Sequence, residues 1–350
     1  MKKWSTRIRF TAIMTFLFAS ATVFANNECC PCPEPYYNPF QSCCWDRCPI
    51  SDCSISVDFL WWRPSVDDLD YAADRETTTK FKYKHICPDW EPGVRVMFLK
   101  PEIFCGWDLN VSWTHIESTD SSSVSHENNI FANLLIVSDP PEGFEGIYNS
   151  AKGSWNACYQ EWNALLLYYI PLGECHHFIP FFGLSGISLE QKLKTEYTGI
   201  DSQSAVSAKG DWHSDYYGIG FRFGSAYSCN FSNCMSFFFN ASGAAIVGKF
   251  DSTLDSSLLV GSQLSELKLQ DNEDRHMATG YHLGAGVSYD TCYCNYDVSF
   301  KLGYEIVDWF EIPNQENFVG SPDSTHYHGS SSSTRAFGFH GLTAGLAVSF

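Results

Sequence analysis

Fifteen cysteines are the largest chemical resource of this 350-residue chain. Seven of them (Cys29, Cys30, Cys32, Cys43, Cys44, Cys48 and Cys53) share the stretch 26–53 with five prolines, a density that precludes regular strand or helix. Six more, Cys105, Cys175, Cys229, Cys234, Cys292 and Cys294, recur down the chain, and Cys87 and Cys158 complete the set. Thiols in such numbers can pair as disulfides, hold a soft metal or act as nucleophiles. Cys30-x-Cys32 and Cys292-x-Cys294 lack the two-to-four-residue spacer usual in zinc sites. Cys175-His176-His177 and His326-x-His328 carry soft donors but read as solvated loop residues, so no metal and no cofactor is expected. Disulfides are the better reading. Adjacent pairs such as Cys29-Cys30 and Cys43-Cys44 rarely close on themselves, so each sulfur needs a more distant partner. An odd total leaves at least one thiol free or joined to another molecule.

One short run offers acid–base chemistry. In Asp211-Trp212-His213-Ser214-Asp215 an imidazole lies between carboxylates and could activate water. Such a site needs a second acidic pair, for which Asp67-Asp68 is a loose candidate; the plain alternative is a polar strand end. No Gly-x-Ser-x-Gly elbow, Walker loop or His-Glu-x-x-His occurs. The chain is not expected to be an enzyme.

Composition limits what can position these groups. Acidic residues outnumber basic ones 40 to 22, which argues against a nucleic-acid partner, because phosphate neutralisation needs a basic face. Aromatic residues make up 16% of the chain, too many for a disordered one. Residues 1–25 read as a secretory signal peptide: Lys2, Lys3, Arg7 and Arg9 precede an apolar core from Phe10 to Phe24, with Val23 and Ala25 at −3 and −1 of the cut. Export to an oxidising compartment permits disulfides.

Beyond Cys53 the pattern turns to period two. Ser54-Ile55-Ser56-Val57-Asp58-Phe59-Leu60-Trp61 alternates apolar with mostly polar residues, as a strand between two environments must. Tyr296, Val298, Phe300, Leu302, Tyr304 and Ile306 interleave with Asp297, Ser299, Lys301, Gly303 and Glu305. Ten such segments are expected, over 54–63, 93–99, 106–116, 155–170, 178–197, 211–227, 235–250, 277–290, 295–308 and 337–350. One apolar and one small or polar face suit an antiparallel barrel with lipid outside and water inside. Connections alternate long and short, as in outer-membrane barrels with tight periplasmic turns and long external loops. The connection 251–276, with Leu264, Leu267 and Leu269, could hold a further hairpin, making twelve strands. Asp120-Ser121-Ser122-Ser123 and Ser330-Ser331-Ser332-Ser333 read as solvated loop. Trp61-Trp62, Trp107, Trp113, Trp212, Tyr216-Tyr217, Tyr289, Tyr304 and Trp309 fall near strand ends, where a membrane–water boundary favours them. Six of the eight cysteines beyond residue 53 fall in or beside the four short connections, where random placement would put fewer than one. Together with the N-terminal seven they would form a thiol-rich periplasmic rim. The reading divides the chain into leader 1–25, Cys/Pro-rich periplasmic segment 26–53 and barrel 54–350, with Phe350 as a terminal assembly signal.

Several stretches resemble the Legionella major outer membrane protein-like family of pore-forming barrels, which has members in chlamydia-like bacteria. The resemblance rests on Val57-Asp58-Phe59-Leu60-Trp61-Trp62-Arg63-Pro64 with Leu69-Asp70-Tyr71-Ala72, and on Pro92-Gly93-Val94-Arg95-Val96, Gly106-Trp107-Asp108-Leu109 and Trp113-Thr114. It continues through Ile179-Pro180-Phe181-Phe182-Gly183-Leu184 and Gln191-Lys192-Leu193-Lys194. It implies an outer-membrane barrel and a passive pore, and leaves segment 26–53 unexplained. An Asp-x-His at a barrel mouth also resembles part of the omptin protease site, which implies a barrel protease as the third-ranked function.

For a pore, the polar face matters. Asp58, Arg95, Asp108, Arg222, Asp297, Lys301 and Glu305 are expected to face the lumen, where charge is far less costly than against lipid. Acids lead slightly, which predicts weak cation preference. Geometry restrains this, because about eight strands enclose only side chains and open porins use about 16. The expected function is a porin-like structural protein of the bacterial outer membrane that passes small hydrophilic solutes. Its expected partners are membrane lipid, further copies of itself and disulfide-linked envelope proteins. The alternative is a surface adhesion or interaction protein working through long acidic loops.

Overall fold

Period-two segments this numerous can close a sheet on itself and so abolish its edges. A computed structural model of the chain describes residues 53–66, 69–77, 80–104, 106–133, 146–173, 175–201, 204–232, 234–293, 296–313, 317–318, 330–331 and 334–350. The leader, the cysteines before Cys53, Asp67-Asp68, Cys105, Cys294 and His326-x-His328 lie outside the described residues.

Ten strands form the ring: β1 (Ser54–Val66), β2 (Glu91–Phe104), β3 (Trp107–Ala132), β4 (Ile147–Tyr168), β5 (His176–Asp201), β6 (Ser204–Ser232), β7 (Met235–Val260), β8 (Gln263–Tyr293), β9 (Tyr296–Pro313) and β10 (Thr334–Ser349). Each pairs antiparallel with its chain neighbours, and β10 returns to β1 in register from Ser54↔Ser349 to Val66↔Phe337. Closure reaches the last residue: the Cys53 N–H donates to the Phe350 carbonyl at 3.1 Å and the Phe350 N–H to the Cys53 carbonyl at 2.9 Å. The all-β barrel of ten strands expected from the periodicity is the observed fold.

The expected 251–276 hairpin is instead the continuation of β7 and β8. They stay paired up to Val260↔Gln263, where Gly261 turns the chain at φ +60°, so no strand is added to the ring. Likewise Asp120-Ser121-Ser122-Ser123, expected in a loop, lies within β3 opposite Trp155, Ser154, Gly153 and Lys152. Ser330–Ser331 pairs with Asn317–Phe318. Five strands, β3 and β5 to β8, run 26 to 31 residues, against the roughly 9–11 that cross a bilayer. The ring therefore projects well beyond the membrane at its long-loop end.

This length splits the barrel into two sectors of opposite polarity. In the lower sector the outward side chains are apolar, among them Phe59, Phe182, Ile219, Phe221, Phe223, Phe237, Phe300, Leu342 and Leu346, and the inward ones are small, polar or charged. Above it the polarity of the two faces inverts. Tyr217 points out and is 58% exposed, whereas Tyr216 points in and is 2% exposed. Trp61 and Trp62 divide in the same way, at 41% and 1%. From there upward Tyr148, Trp155, Tyr197, Leu193, Trp212 and Leu254 fill the interior, while Ser, Thr, Asp and Lys meet water outside. Each large side chain so enclosed stabilises the fold by about 1.5–3 kcal/mol. A two-stranded extension, Asp70–Thr77 with Lys80–His85, joins the sheet beside the end of β3 through Ala72↔Ala132.

Candidate functional site

The inward residues where the two sectors meet form one polar layer. Arg95 on β2 grips Glu305 on β9 through two parallel bonds, Nη1 to Oε1 at 3.0 Å and Nη2 to Oε2 at 2.8 Å. Its Nε–H donates to Thr114 at 3.2 Å, Asp58 Oδ2 lies 3.5 Å from Nη1, and its guanidinium sits 5.3 Å from the Trp62 ring. His282 places Nε2 2.7 Å from Glu305. A second pair joins Arg222 on β6 to Glu161 on β4. Glu161 also accepts from the Tyr159 hydroxyl at 2.9 Å and from Asn163 at 3.2 Å. Every charge here is sunk below a tenth of its exposed area. Burial at that depth demands paired charges, and the layer pairs each of them, although Asp58 Oδ1 and Arg222 Nε have no hydrogen-bond partner among the described residues.

An aromatic lid spans the ring at this level. Trp309 on β9 donates its indole N–H to the Tyr159 hydroxyl on β4 at 3.0 Å. Those strands stand five places apart in a ring of ten, so the bond crosses the lumen. Tyr159 also meets Phe339 and Phe337, with ring centroids 5.2 and 6.4 Å away, and the Arg222 guanidinium lies 5.8 Å from the Trp309 ring. Water flowing through an open bore would leave such rings exposed; instead they are at most 1% exposed. At this level side chains from opposite walls meet across the lumen.

Of the seven residues expected to face the lumen, Asp58, Arg95, Arg222 and Glu305 meet in the layer. Asp108 is buried nearer the short-turn end, where its Oδ1 accepts the Glu102 N–H at 2.9 Å. Asp297, opposite Ser349, keeps the inward parity, and Lys301 shares the Asp58 side of the wall across Gly345. Glu161, Tyr159 and His282 were not singled out from the sequence, and Trp309, expected at the membrane–water boundary, is buried in the lumen instead. Alternation carried the signal for Glu161, which shares the parity of Asn163 and opposes that of the lipid-facing Trp162. The partners from distant strands carried none. Gly345 makes room for Asp58: a Cβ there would lie 2.3 Å from Asp58 Oδ1. Gly345→Ala is expected to displace this carboxylate and destabilise the barrel by about 1–3 kcal/mol, read as an earlier midpoint in urea unfolding.

The cysteines described here lie mostly at the short-turn end. Cys53 faces Phe350, Cys229 is in register with His176 and Phe237, and the carbonyls of Cys175 and Cys234 accept from Asn230 and Asp290, both at 2.8 Å. Cys53, Cys87, Cys158 and Cys229 are free thiols. Cys158 stands on the outer face of β4 beside Glu117 and Glu190.

The His213–Asp215 pair of the Asp211–Asp215 run does not face the lumen. Trp212 and Ser214 turn inward, whereas His213 and Asp215 lie on the outer wall, with His213 Nε2 2.8 Å from Asp215 Oδ2. Glu190 stands opposite Asp215 and Lys192 opposite His213. Ligand atoms of Glu190, His213 and Asp215 lie within 4.8 Å of one another, near enough for a cation. Lys192 already supplies one to Glu190, and that hydrogen bond holds its ammonium above the ordinary lysine value.

The family model described as the Legionella pneumophila major outer membrane protein precursor matches residues 47–350. The chain belongs to this family. Like the family it is an outer-membrane protein, and its lower sector presents the apolar wall that a bilayer requires. No curated protein matches it by sequence. Among solved structures, the outer membrane protease OmpT from Escherichia coli is 8% identical, with a TM-score of 0.40 over 85% of this chain and 96% of that one. A Pseudomonas aeruginosa FadL homologue is 6% identical, with a TM-score of 0.23 over 85% of this chain and 89% of the other. The toluene transporter TodX of Pseudomonas putida is 7% identical, with a TM-score of 0.22 over 86% and 89%.

Proposed function

We propose that this outer-membrane protein is a porin-type structural barrel whose path for small hydrophilic solutes is held shut at rest by the layer joining Arg95–Glu305, Arg222–Glu161 and Tyr159–Trp309. The observation that carries the reading is the Trp309–Tyr159 bond across the lumen. Polar residues such as Asp108, Ser112, Asn163 and Ser288 line the wall below the layer, so the inner face there is polar rather than apolar. Passage then requires the layer to part, and its ion pairs are the groups whose separation would admit water. Planar-bilayer recording of the refolded protein tests this: rare, brief openings over a silent baseline are expected. A steady open current from the unaltered chain would overturn closure.

The thiol-rich rim completes the proposal. Cys53, Cys175, Cys229 and Cys234, with Cys105, Cys292, Cys294 and the N-terminal cysteines, link neighbouring molecules or envelope proteins through disulfides. Non-reducing electrophoresis of envelopes should show a ladder that reduction collapses to monomer; monomer in both lanes would end this part.

A further inference from the structure

The first long connection carries a sheet edge unlike the rest of the molecule. In a chain with 40 acidic and 22 basic residues, Arg75, Lys80, Lys82 and Lys84 fall within ten positions. The strand Lys80–His85 pairs on one side with Asp70–Thr77, and among the described residues no strand pairs with its other side. Its side chains sort by parity. Lys80, Lys82 and Lys84 share one face; Phe81, Tyr83 and His85 share the other. Phe81 and Tyr83 remain 48% and 58% exposed, and Lys80 is 69% exposed.

The extension is firmly seated. Tyr71 lies beneath it, its hydroxyl 3.1 Å from Ser122 Oγ and its carbonyl accepting from Tyr197. Phe81 packs edge-on to Phe131 at 5.5 Å. The hydrogen bond from His126, and then that from Lys84, holds the Asp74 carboxyl below the usual carboxylate range. Lys84 is half-buried and pairs with the buried Asp74 at 3.2 Å, whereas Lys80 pairs with Glu76 at the surface, where such a pair is weak and exchanges readily.

We infer that the free edge of Lys80–His85 is a docking site for an extended acidic polypeptide, which adds to the sheet as a further antiparallel or parallel strand. Two features select that partner. An open edge presents backbone N–H and C=O groups that only another backbone can match in series. Lysines at every second position place their ammonium groups about 6.6 Å apart, the spacing of alternate carboxylates on a paired strand. Apolar residues at the intervening positions would meet Phe81 and Tyr83. A second copy of this edge is the wrong occupant, because it would set lysine against lysine.

The test uses the full chain refolded in detergent micelles and a fluorescent heptapeptide alternating Glu and Val. Binding is expected, together with a loss of at least about tenfold in affinity when Lys80, Lys82 and Lys84 are all replaced by Gln. These side chains are surface-exposed or half-buried, and circular dichroism checks that the variant keeps its strand content. The same peptide N-methylated at alternate amides, made in both registers, should lose binding in one register, which tests backbone pairing without altering the protein. Equal binding of a Lys/Val peptide, an unaffected triple variant, or full binding of both N-methylated forms would overturn the inference. So would a sulfated polysaccharide that binds this edge while the peptide does not.

Discussion

Alanine at both Tyr159 and Trp309 is expected to turn a nearly silent bilayer into one carrying a steady current. Tyr159 and Trp309 meet from opposite sides of the ring, and Tyr159 also supports Phe337 and Phe339. Aromatic side chains of this size each bury roughly 150–250 Å², so removing two of them from one level of a ten-stranded bore opens a path that water can enter. The ring itself should persist, because its ladder does not depend on these side chains. Trp162→Ala is the matched control: Trp162 lies on the neighbouring lipid-facing position, 40% exposed, and its loss should leave the current at the unaltered baseline. If the double variant refolds with full strand content and stays silent, the layer is not the barrier.

The second large effect concerns stability. Glu161→Leu leaves the Arg222 guanidinium, among the described residues, with Ser242 at 3.4 Å and the Trp309 face. It also removes the acceptor of Tyr159 and Asn163. Breaking one partner out of a buried pair costs about 3–5 kcal/mol. Replacing both, as Glu161→Leu with Arg222→Met, should recover most of that loss, because no uncompensated charge remains. Urea midpoints of the four proteins give the comparison as a double-mutant cycle. Losses in the two single variants that add up to the loss in the double variant would show that the pair is not coupled. The same double variant is expected to conduct more readily than the unaltered chain, since the pair is part of the closure.

The outer-membrane wall was legible because lipid enforces it. Wherever the wall meets hydrocarbon, every second residue must be apolar, and Phe221, Phe237, Phe300 and Leu346 obey. The upper sector was not legible in the same way. There water replaces lipid outside, so Ser121, Lys152, Thr198 and Asp255 on the outer face imitate a loop, while Trp155, Trp212 and Leu254 mark the strand from within. The doublets Trp61-Trp62 and Tyr216-Tyr217 are the trace of this inversion in the sequence, one ring for each environment.

The charged layer shows a similar division. Parity alone placed Asp58, Arg95, Arg222 and Glu305 on the inner wall. It could not say that Arg95 reaches Glu305 three strands away, or that Arg222 chooses Glu161. Nor could it reveal the indole and phenol that bond across the bore. The sequence by itself determined a closed antiparallel wall and its lipid side, since those follow from period-two chemistry along each strand. Only the tertiary structure decided that side chains meet across the bore and that one basic edge is unpaired among the described residues, because both depend on which strands curvature and closure bring face to face.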